Sequence, residues 1–145
     1  MTELQILRTM HPPEIFIEQI TLLNKEIGRT ISSSSLKEII DALPRSERLL
    51  LAVERDFLVG FAHLRVHSDL AGASSVEVVD LIVRSANRRR GIGRQLLNAA
   101  ETWARQSDYR SLQIRIPVAD SGAHAFLTAL QFEQSATLLE FNRHL

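Results

Sequence analysis

A short segment at residues 88–93, with the sequence RRRGIG, constrains the fold of this chain more than any other feature. It lies between an apolar run typical of a β-strand, Val76 to Val83, and an amphipathic run typical of a helix, Ile92 to Gln106. Glycine lets the backbone of a strand-to-helix turn approach a ligand closely. The amide groups that begin the helix favour an anion, and arginine adds forked donors for phosphate oxygens. The segment therefore predicts a phosphate or pyrophosphate site.

Two common glycine motifs do not fit this segment. A dinucleotide-binding fingerprint needs a third glycine three residues after Gly93, where the chain has Leu96. A P-loop needs Gly-Lys followed by Ser or Thr, which the sequence lacks. The pattern that remains is Arg88-x-x-Gly91-x-Gly93. In isolation it is also compatible with a plain helix start that carries solvated arginines.

The periodicity of apolar residues predicts ten elements in the order β, α, α, then a β meander, then α, β, α, β. This order predicts an α+β domain with a mixed three-layer α/β/α architecture rather than a regular βαβ array. The predicted strands are 4–7, 49–54, 57–67, 76–83, 112–116 and 138–142, and the hairpin between the second and third turns at Arg55-Asp56. The predicted helices begin after Pro13, at a capping box of Ser35 with Glu38, at Ile92 and at Ala123.

Composition limits the function. The chain has 145 residues, enough for one domain, and a formal net charge of +0, which argues against a general nucleic-acid or membrane-surface binder. It has no cysteine, which excludes disulfides, thiolate catalysis and Cys-ligated zinc. No apolar run reaches the ~20 residues of a membrane span, and Met1 to Met10 lacks the pattern of a signal peptide. We therefore expect a cytoplasmic protein.

With the strand before it and the helix after it, the arginine–glycine pattern resembles the acetyl-CoA-binding signature of the GNAT N-acetyltransferase superfamily. The order of elements resembles that family over nearly the whole chain. The resemblance implies a single GNAT-like acetyltransferase domain over residues 1–145, with a mixed, mostly antiparallel central sheet. It also implies direct transfer of an acetyl group from acetyl-CoA, as co-substrate, to an amine, without a metal. Family members can form homodimers, so a homodimer is compatible with the resemblance.

In that family the backbone amides of the turn hold the pyrophosphate of CoA, and the preceding strand pairs with the pantetheine arm. The family's sheet splays between this strand and the next one, here Leu112 to Ile116, and so admits the cofactor. The cofactor-binding residues that the resemblance implies are Leu81, Ile82, Val83, Arg88, Arg89, Arg90, Gly91, Ile92, Gly93 and Arg94.

A second segment, residues 123–132, resembles a family pattern of Ala-His-x-Phe-Tyr followed by Gly-Phe. Two positions depart from it. Leu127 stands where many members have the tyrosine that protonates the departing thiolate, and Gln131 stands where they have a glycine. The first departure favours a rival interpretation, a non-catalytic acyl-CoA-binding or regulatory module on the same fold.

Acetyl transfer to an amine requires a base, because a lysine-like amine with a pKa of about 10.4 is charged at neutral pH. Glu77 is the first candidate, since some family members place a catalytic glutamate at this position of the strand; otherwise it is an exposed carboxylate. Asp80 is the second candidate, with pairing to a nearby arginine as its alternative. Strict alternation places the two on opposite faces, and a β-bulge, which the family often has here, would change that.

Two histidines, His63 and His67, flank three residues of a predicted strand. At about 3.3 Å per residue their Cα atoms lie about 13 Å apart, so one metal ion cannot bind both. They are expected on the substrate side of the hairpin or in solvent.

The acceptor stays open between small-molecule and peptide amines, and neither nucleic acid nor membrane is expected as a partner. A third interpretation, a small nucleic-acid-binding protein that uses Arg88, Arg89, Arg90 and Arg94, would show steep salt dependence of binding.

Overall fold

The computed structural model describes residues 3–145. The chain forms two compact units, one that ends at Ile114 and one from Arg115 to Leu145. Among the described residues, none of the helices combines the length and the apolar character that crossing a membrane requires. The first unit contains β1 (Leu4–Thr9), α1 (Glu14–Glu26), α2 (Ser33–Asp41), β2 (Arg48–Glu54), β3 (Phe57–Ser68), β4 (Ser74–Val83), a 3₁₀ turn (Ser85–Asn87), α3 (Ile92–Gln106) and β5 (Leu112–Ile114). The second unit contains α4 (Ser121–Ala129).

The strands of the first unit form a five-stranded sheet in the order β1-β2-β3-β4-β5. The first four strands pair antiparallel, and β5 pairs parallel with β4. Arg55 and Asp56 connect β2 to β3 with φ values of 52° and 61°, as a two-residue hairpin turn of the primed type requires. The mixed, mostly antiparallel sheet agrees with the predicted fold class.

Helices lie on both faces of this sheet. Phe61 of β3 packs with Ile20 of α1 in a buried cluster. The preceding residue, Gly60, has the opposite orientation, and a Cβ atom built on it would meet Ile92 and Leu96 of α3. Because successive residues of a strand point to opposite faces, α1 and α3 cover opposite faces of the sheet. The predicted three-layer α/β/α arrangement is therefore confirmed.

Gly60 permits the close approach of α3 to the sheet. A Cβ atom at this position would lie 3.0 Å from the backbone oxygen of Ile82 and 3.3 Å from side-chain atoms of Ile92 and Leu96. We expect Gly60→Ala to lower the free energy of unfolding by about 1–3 kcal/mol, as overpacking does. Urea denaturation measures this as a lower midpoint at unchanged slope.

The matched control for this substitution is Gly122→Ala in α4. A Cβ atom there would lie 3.7 Å from its nearest neighbour, an oxygen of Asp120, which is ordinary contact. Alanine also has the higher helix propensity, so the control should be neutral or stabilising. A midpoint that Gly60→Ala leaves unchanged would show that α3 does not need the close approach.

The start of α2 differs from the prediction. The residue that caps this helix is Ser32, whose side-chain oxygen accepts a hydrogen bond of 3.1 Å from the amide of Ser35. The capping box of Ser35 with Glu38 is therefore wrong, since Ser35 already lies in the first turn. In a run of four serines each hydroxyl is able to cap, and the helix extends to the first of them.

The predicted strand at 138–142 is also wrong. Residues 132–145 contain no helix or strand, and Leu138, Leu139 and Phe141 are 63%, 81% and 88% exposed. A strand gains stability by pairing and by burying one face. In a strand Leu139 and Phe141 would share one apolar face, but no described strand pairs with this segment and both side chains stay exposed.

The end of α4 explains the family's glycine at the position of Gln131. The amides of Gln131 and Phe132 donate to the carbonyl oxygens of Thr128 and Leu127, each at 3.0 Å, which is the Schellman pattern. Gln131 adopts a φ of 68°, in the left-handed region that favours glycine. We expect Gln131→Gly to raise the free energy of unfolding by about 1 kcal/mol, measured as a higher midpoint of thermal unfolding. Gln134→Gly, outside the turn, should not stabilise, and a lower midpoint for Gln131→Gly would contradict the assignment.

Candidate active site

A β-bulge interrupts β4 in the middle of the sheet. The register pairs His63 of β3 with Asp80, but it pairs the next residue, Leu64, with Val78. Val79 is therefore an extra residue in β4 with no counterpart in β3. Such a bulge shifts the alternation of side chains along the strand that carries it.

This bulge brings the two predicted carboxylates to one face of the sheet. His63 pairs with Asp80 and Arg65 pairs with Glu77, and paired residues share a face. His63 and Arg65 are two residues apart on β3, so their side chains share a face too, the one that Phe61 turns toward α1. Glu77 and Asp80 therefore lie on the α1 face, and the alternative of opposite faces does not hold.

Each of these carboxylates has a cationic or imidazole partner from the same chain. Oε1 of Glu77 lies 3.3 Å from Nε2 of His67, and Oδ1 of Asp80 lies 3.1 Å from a guanidinium nitrogen of Arg29. Glu77 is 7% exposed, so the alternative of an exposed strand carboxylate is wrong for this residue. Burial of a carboxylate is costly unless it is hydrogen-bonded or paired, which explains the partner at Glu77.

This face carries a third carboxylate, which the sequence did not predict. Glu47, immediately before β2, is 6% exposed, and its Oε1 atom lies 2.6 Å from Nε2 of His63. The guanidinium Nε of Arg65 lies 3.8 Å from the same oxygen. Sequence gives no signal for this contact, because Glu47 belongs to a short polar loop and meets β3 only through the pairing of β2 with β3.

The two histidines of β3 therefore belong to separate pairs, His63 with Glu47 and His67 with Glu77. Across the described residues, no group of three or more His, Asp or Glu side chains is arranged to hold a metal ion.

The arginine–glycine turn follows β4 and a 3₁₀ turn and leads into α3. Gly91 is the residue that precedes α3, with a φ of 79°, and no described side chain caps the helix. The Gln95 amide closes the first turn on the carbonyl oxygen of Gly91 at 3.0 Å. Amides before it in the helix lack intrahelical acceptors, as in every helix, and point out of its positive end. This end of α3 can accept an anion.

The arginines of the turn have different environments. Arg90 forms a two-point ion pair with Glu54 at the end of β2, with distances of 2.9 and 3.3 Å. The Nε atom of Arg88 donates to the carbonyl oxygen of Val83 at 3.3 Å. Within residues 3–145, neither Arg89 nor Arg94 has an ion-pair partner, and both are exposed. Arg90 therefore anchors the turn to the hairpin. The side chains of Arg89 and Arg94 are available to bind an anion.

One edge of β4 is open beside this turn. The pairing of β4 with β5 covers only Val76–Val78, against Leu112–Ile114. From Val79 to Val83, no described strand pairs with this edge, while the other edge is paired with β3 from Asp80 to Val83. Backbone groups on an open edge can pair with an extended ligand. The side chain of Ile82 is buried in the α1-side core, so this residue can offer a ligand only its main chain.

The sequence and the fold are both similar to those of known acetyltransferases. The profile of the acetyltransferase (GNAT) family matches residues 8–132. An aminoglycoside acetyltransferase from an uncultured soil metagenomic sample, solved with sisomicin, matches with a TM-score of 0.84 at 18% identity and covers 98% of this chain and 96% of that one. The aminoglycoside acetyltransferase AAC(6')-Iy, solved with a bisubstrate analog of CoA and acetylneamine, matches at 0.84 and 15%, over 99% of both chains.

A third solved structure, a transcriptional regulator from Bacillus halodurans C-125, matches with a TM-score of 0.82 at 19% identity, over 97% of this chain and 100% of that one. At these identities the structural likeness shows the fold alone. Among curated proteins, none matches the sequence.

Proposed function

Because the chain belongs to the acetyltransferase (GNAT) family, we propose that it transfers the acetyl group of acetyl-CoA directly to an amine of a small molecule. The observation that carries this proposal is the organisation of β4. This one strand holds Glu77 and Asp80 on one face, has an open edge from Val79 to Val83, and leads into the arginine–glycine turn.

The arginine–glycine turn suits the pyrophosphate of CoA, and the open edge of β4 suits its pantetheine arm. The amides of residues 89–94 and the side chains of Arg89 and Arg94 would hold the pyrophosphate, since a helix start favours phosphate and arginine binds it as a fork. The main chain of Leu81–Val83 would pair with the amides of the pantetheine arm. Along the chain, the main chain that would pair with pantetheine comes before the turn that would bind the pyrophosphate. These two parts of an extended CoA molecule have the same order.

The α1 face would receive the amine. In the transfer, the nitrogen attacks the carbonyl carbon of the thioester, a C–N bond forms, and the C–S bond breaks with its electrons on sulfur. Before attack the ammonium must lose a proton, which we assign to Glu77, a buried carboxylate in contact with the half-exposed His67. Asp80 is the second candidate, and its Oδ1 atom is already engaged by Arg29.

The leucine at residue 127 leaves the departing thiolate without the proton donor that many family members have there. The family's tyrosine would protonate the departing sulfur, and leucine has no proton to give. A thiol near pKa 8.5 is a fair leaving group without help. We therefore expect turnover that is slower by the contribution of one general acid, about 10² to 10⁴, rather than none.

For the acceptor, we favour a small-molecule primary amine over a peptide. The support is the likeness to structures solved with sisomicin and with an acetylneamine analog, which are aminoglycosides or derivatives of them. A panel of sisomicin, neamine, spermidine, lysine and a short peptide with a free N-terminus samples the open classes.

The proposal is tested in two steps. Calorimetry with acetyl-CoA and with CoA should show binding with a Kd in the micromolar range. A thiol reagent then measures release of CoA with each amine of the panel, and the chain itself contributes no thiol because it has no cysteine. No heat of binding with either ligand would overturn the proposal.

A non-catalytic acyl-CoA-binding or regulatory module is the second candidate. Leu127 in the place of the tyrosine favours it, and one structural neighbour is described as a transcriptional regulator. Binding of acetyl-CoA without CoA release for any amine would establish this function instead.

A further inference from the structure

The pair of Glu47 and His63 has no role in the transfer described so far. We propose that His63, oriented by Glu47, accepts the second proton that the acceptor nitrogen loses during acetyl transfer. The inference rests on the proposed function and adds a further catalytic residue to it. Its support is the burial, the tautomer and the position of this pair.

Burial makes the pair a fixed unit. The side chain of Glu47 is 7% exposed and that of His63 is 14% exposed, and 2.6 Å separates Oε1 from Nε2. The guanidinium Nε of Arg65, at 3.8 Å from the same oxygen, places a positive charge beside the pair. A buried carboxylate this close to a ring nitrogen fixes the orientation of the imidazole.

This contact determines which nitrogen of the ring is available. A carboxylate only accepts hydrogen bonds, so Nε2 of His63 carries the hydrogen that Oε1 of Glu47 accepts. In a neutral imidazole the other nitrogen, Nδ1, then has the free lone pair and is the proton acceptor. If Nδ1 takes a proton, the carboxylate of Glu47 stabilises the resulting imidazolium, as the carboxylate of a catalytic triad does.

The pair lies beside the bulge that separates the two carboxylates of β4. His63 is the direct cross-strand partner of Asp80, and Arg65, the partner of Glu77, is two residues further along β3. At about 3.3 Å per residue, the Cα atoms of His63 and Arg65 are about 7 Å apart on one face, opposite Asp80 and Glu77 of β4. An amine nitrogen between them is within reach of both Glu77 and His63.

The proton balance of the reaction requires two acceptors or one that empties between steps. An ammonium has three N–H bonds and the product amide of a primary amine has one. Glu77 takes the first proton before attack. His63 takes the second from the nitrogen of the tetrahedral adduct as the C–S bond breaks, and then releases it to water.

A purely structural role for this pair is the competing explanation. Glu47 and His63 also tie the loop before β2 to β3, so their loss lowers stability. Lost stability does not recover on addition of a free base, whereas lost proton transfer does. Rescue by imidazole therefore separates the two roles.

The experiment measures CoA release with acetyl-CoA and the best amine of the panel, for wild type, His63→Ala and Glu47→Gln. We expect His63→Ala to lower kcat by about 100-fold, a typical contribution of one acid–base group, with acetyl-CoA affinity unchanged. Imidazole in the assay should restore at least about a tenth of the lost rate. Glu47→Gln should lower kcat by about 10-fold, because the amide keeps the contact but not the charge. His11→Ala, at an exposed histidine after β1, is the control and should gain nothing from imidazole.

Two results would overturn the inference: a kcat of His63→Ala equal to that of wild type, or a loss that imidazole does not restore. Nitrogen NMR of wild-type His63 gives a second test that needs no variant, and a hydrogen found on Nδ1 in the neutral ring would also overturn it. If wild type acetylates no amine of the panel, the proposed function fails. An active wild type with an unaffected His63→Ala means that this inference alone fails.

Discussion

Gly91→Glu is expected to abolish the binding of acetyl-CoA and of CoA. Gly91 has a φ of 79°, and a side chain there adds backbone strain of about 1–2 kcal/mol. The added carboxylate would stand at the positive end of α3, where the pyrophosphate is proposed to bind, and it would repel that anion. We expect Kd to rise by more than about 100-fold, which corresponds to about 2.7 kcal/mol, measured by calorimetry.

The control for this variant separates the effect of a negative charge at the start of α3 from the effect of backbone strain. Gly72, in the loop between β3 and β4, has a φ of 86°, and at both glycines a Cβ atom would meet nothing within 4 Å. Gly72→Glu therefore adds the same carboxylate with similar strain at a different place and should bind acetyl-CoA as wild type does. An unchanged Kd in Gly91→Glu would show that the arginine–glycine turn is only a helix start.

Glu77→Gln should lower kcat by about 10² to 10⁴, the contribution of a general base, and leave acetyl-CoA affinity nearly unchanged. Glutamine has almost the same shape and can still accept a hydrogen bond from His67, so the site keeps its packing. It cannot take the proton of the amine at neutral pH. Initial rates of CoA release with the best amine, together with calorimetry of acetyl-CoA, test this.

Two variants calibrate the result. Asp80→Asn changes the second carboxylate of the same face and should have a smaller effect, because Arg29 already engages its Oδ1 atom. Glu101→Gln removes another ion-paired glutamate, bonded to Arg105 at 2.7 Å in α3, and should not change the rate. A full rate in Glu77→Gln would exclude Glu77 as the base, and a larger loss in Asp80→Asn would transfer the role to Asp80.

The parts of the fold that were predictable are those with local causes. The hairpin at Arg55-Asp56 and the turn at Gly91 both lie at short polar or glycine-containing breaks between apolar runs. Such breaks are local signals that predict a turn from the sequence. The helix that starts at Ile92 follows from an apolar stripe repeated every three to four residues. These features need no partner elsewhere in the chain.

The parts that were not predictable depend on register and on distant contacts. The bulge at Val79 exists only in the pairing of β3 with β4, so the shared face of Glu77 and Asp80 was left open by the sequence. The contact of Glu47 with His63 joins residues 16 positions apart through the sheet. The expected strand at 138–142 failed for the converse reason, because an apolar run does not reveal whether a partner strand exists.

Mass spectrometry of the amine panel, after incubation with acetyl-CoA and the protein, tests directly whether the protein transfers an acetyl group to an amine. We predict that one amine gains an acetyl group, that CoA thiol appears in equal amount, and that Gly91→Glu produces neither. Binding of acetyl-CoA with no acetylated amine in the panel would contradict the proposed acetyl transfer, because the site would then hold an acyl-CoA without transferring its acyl group.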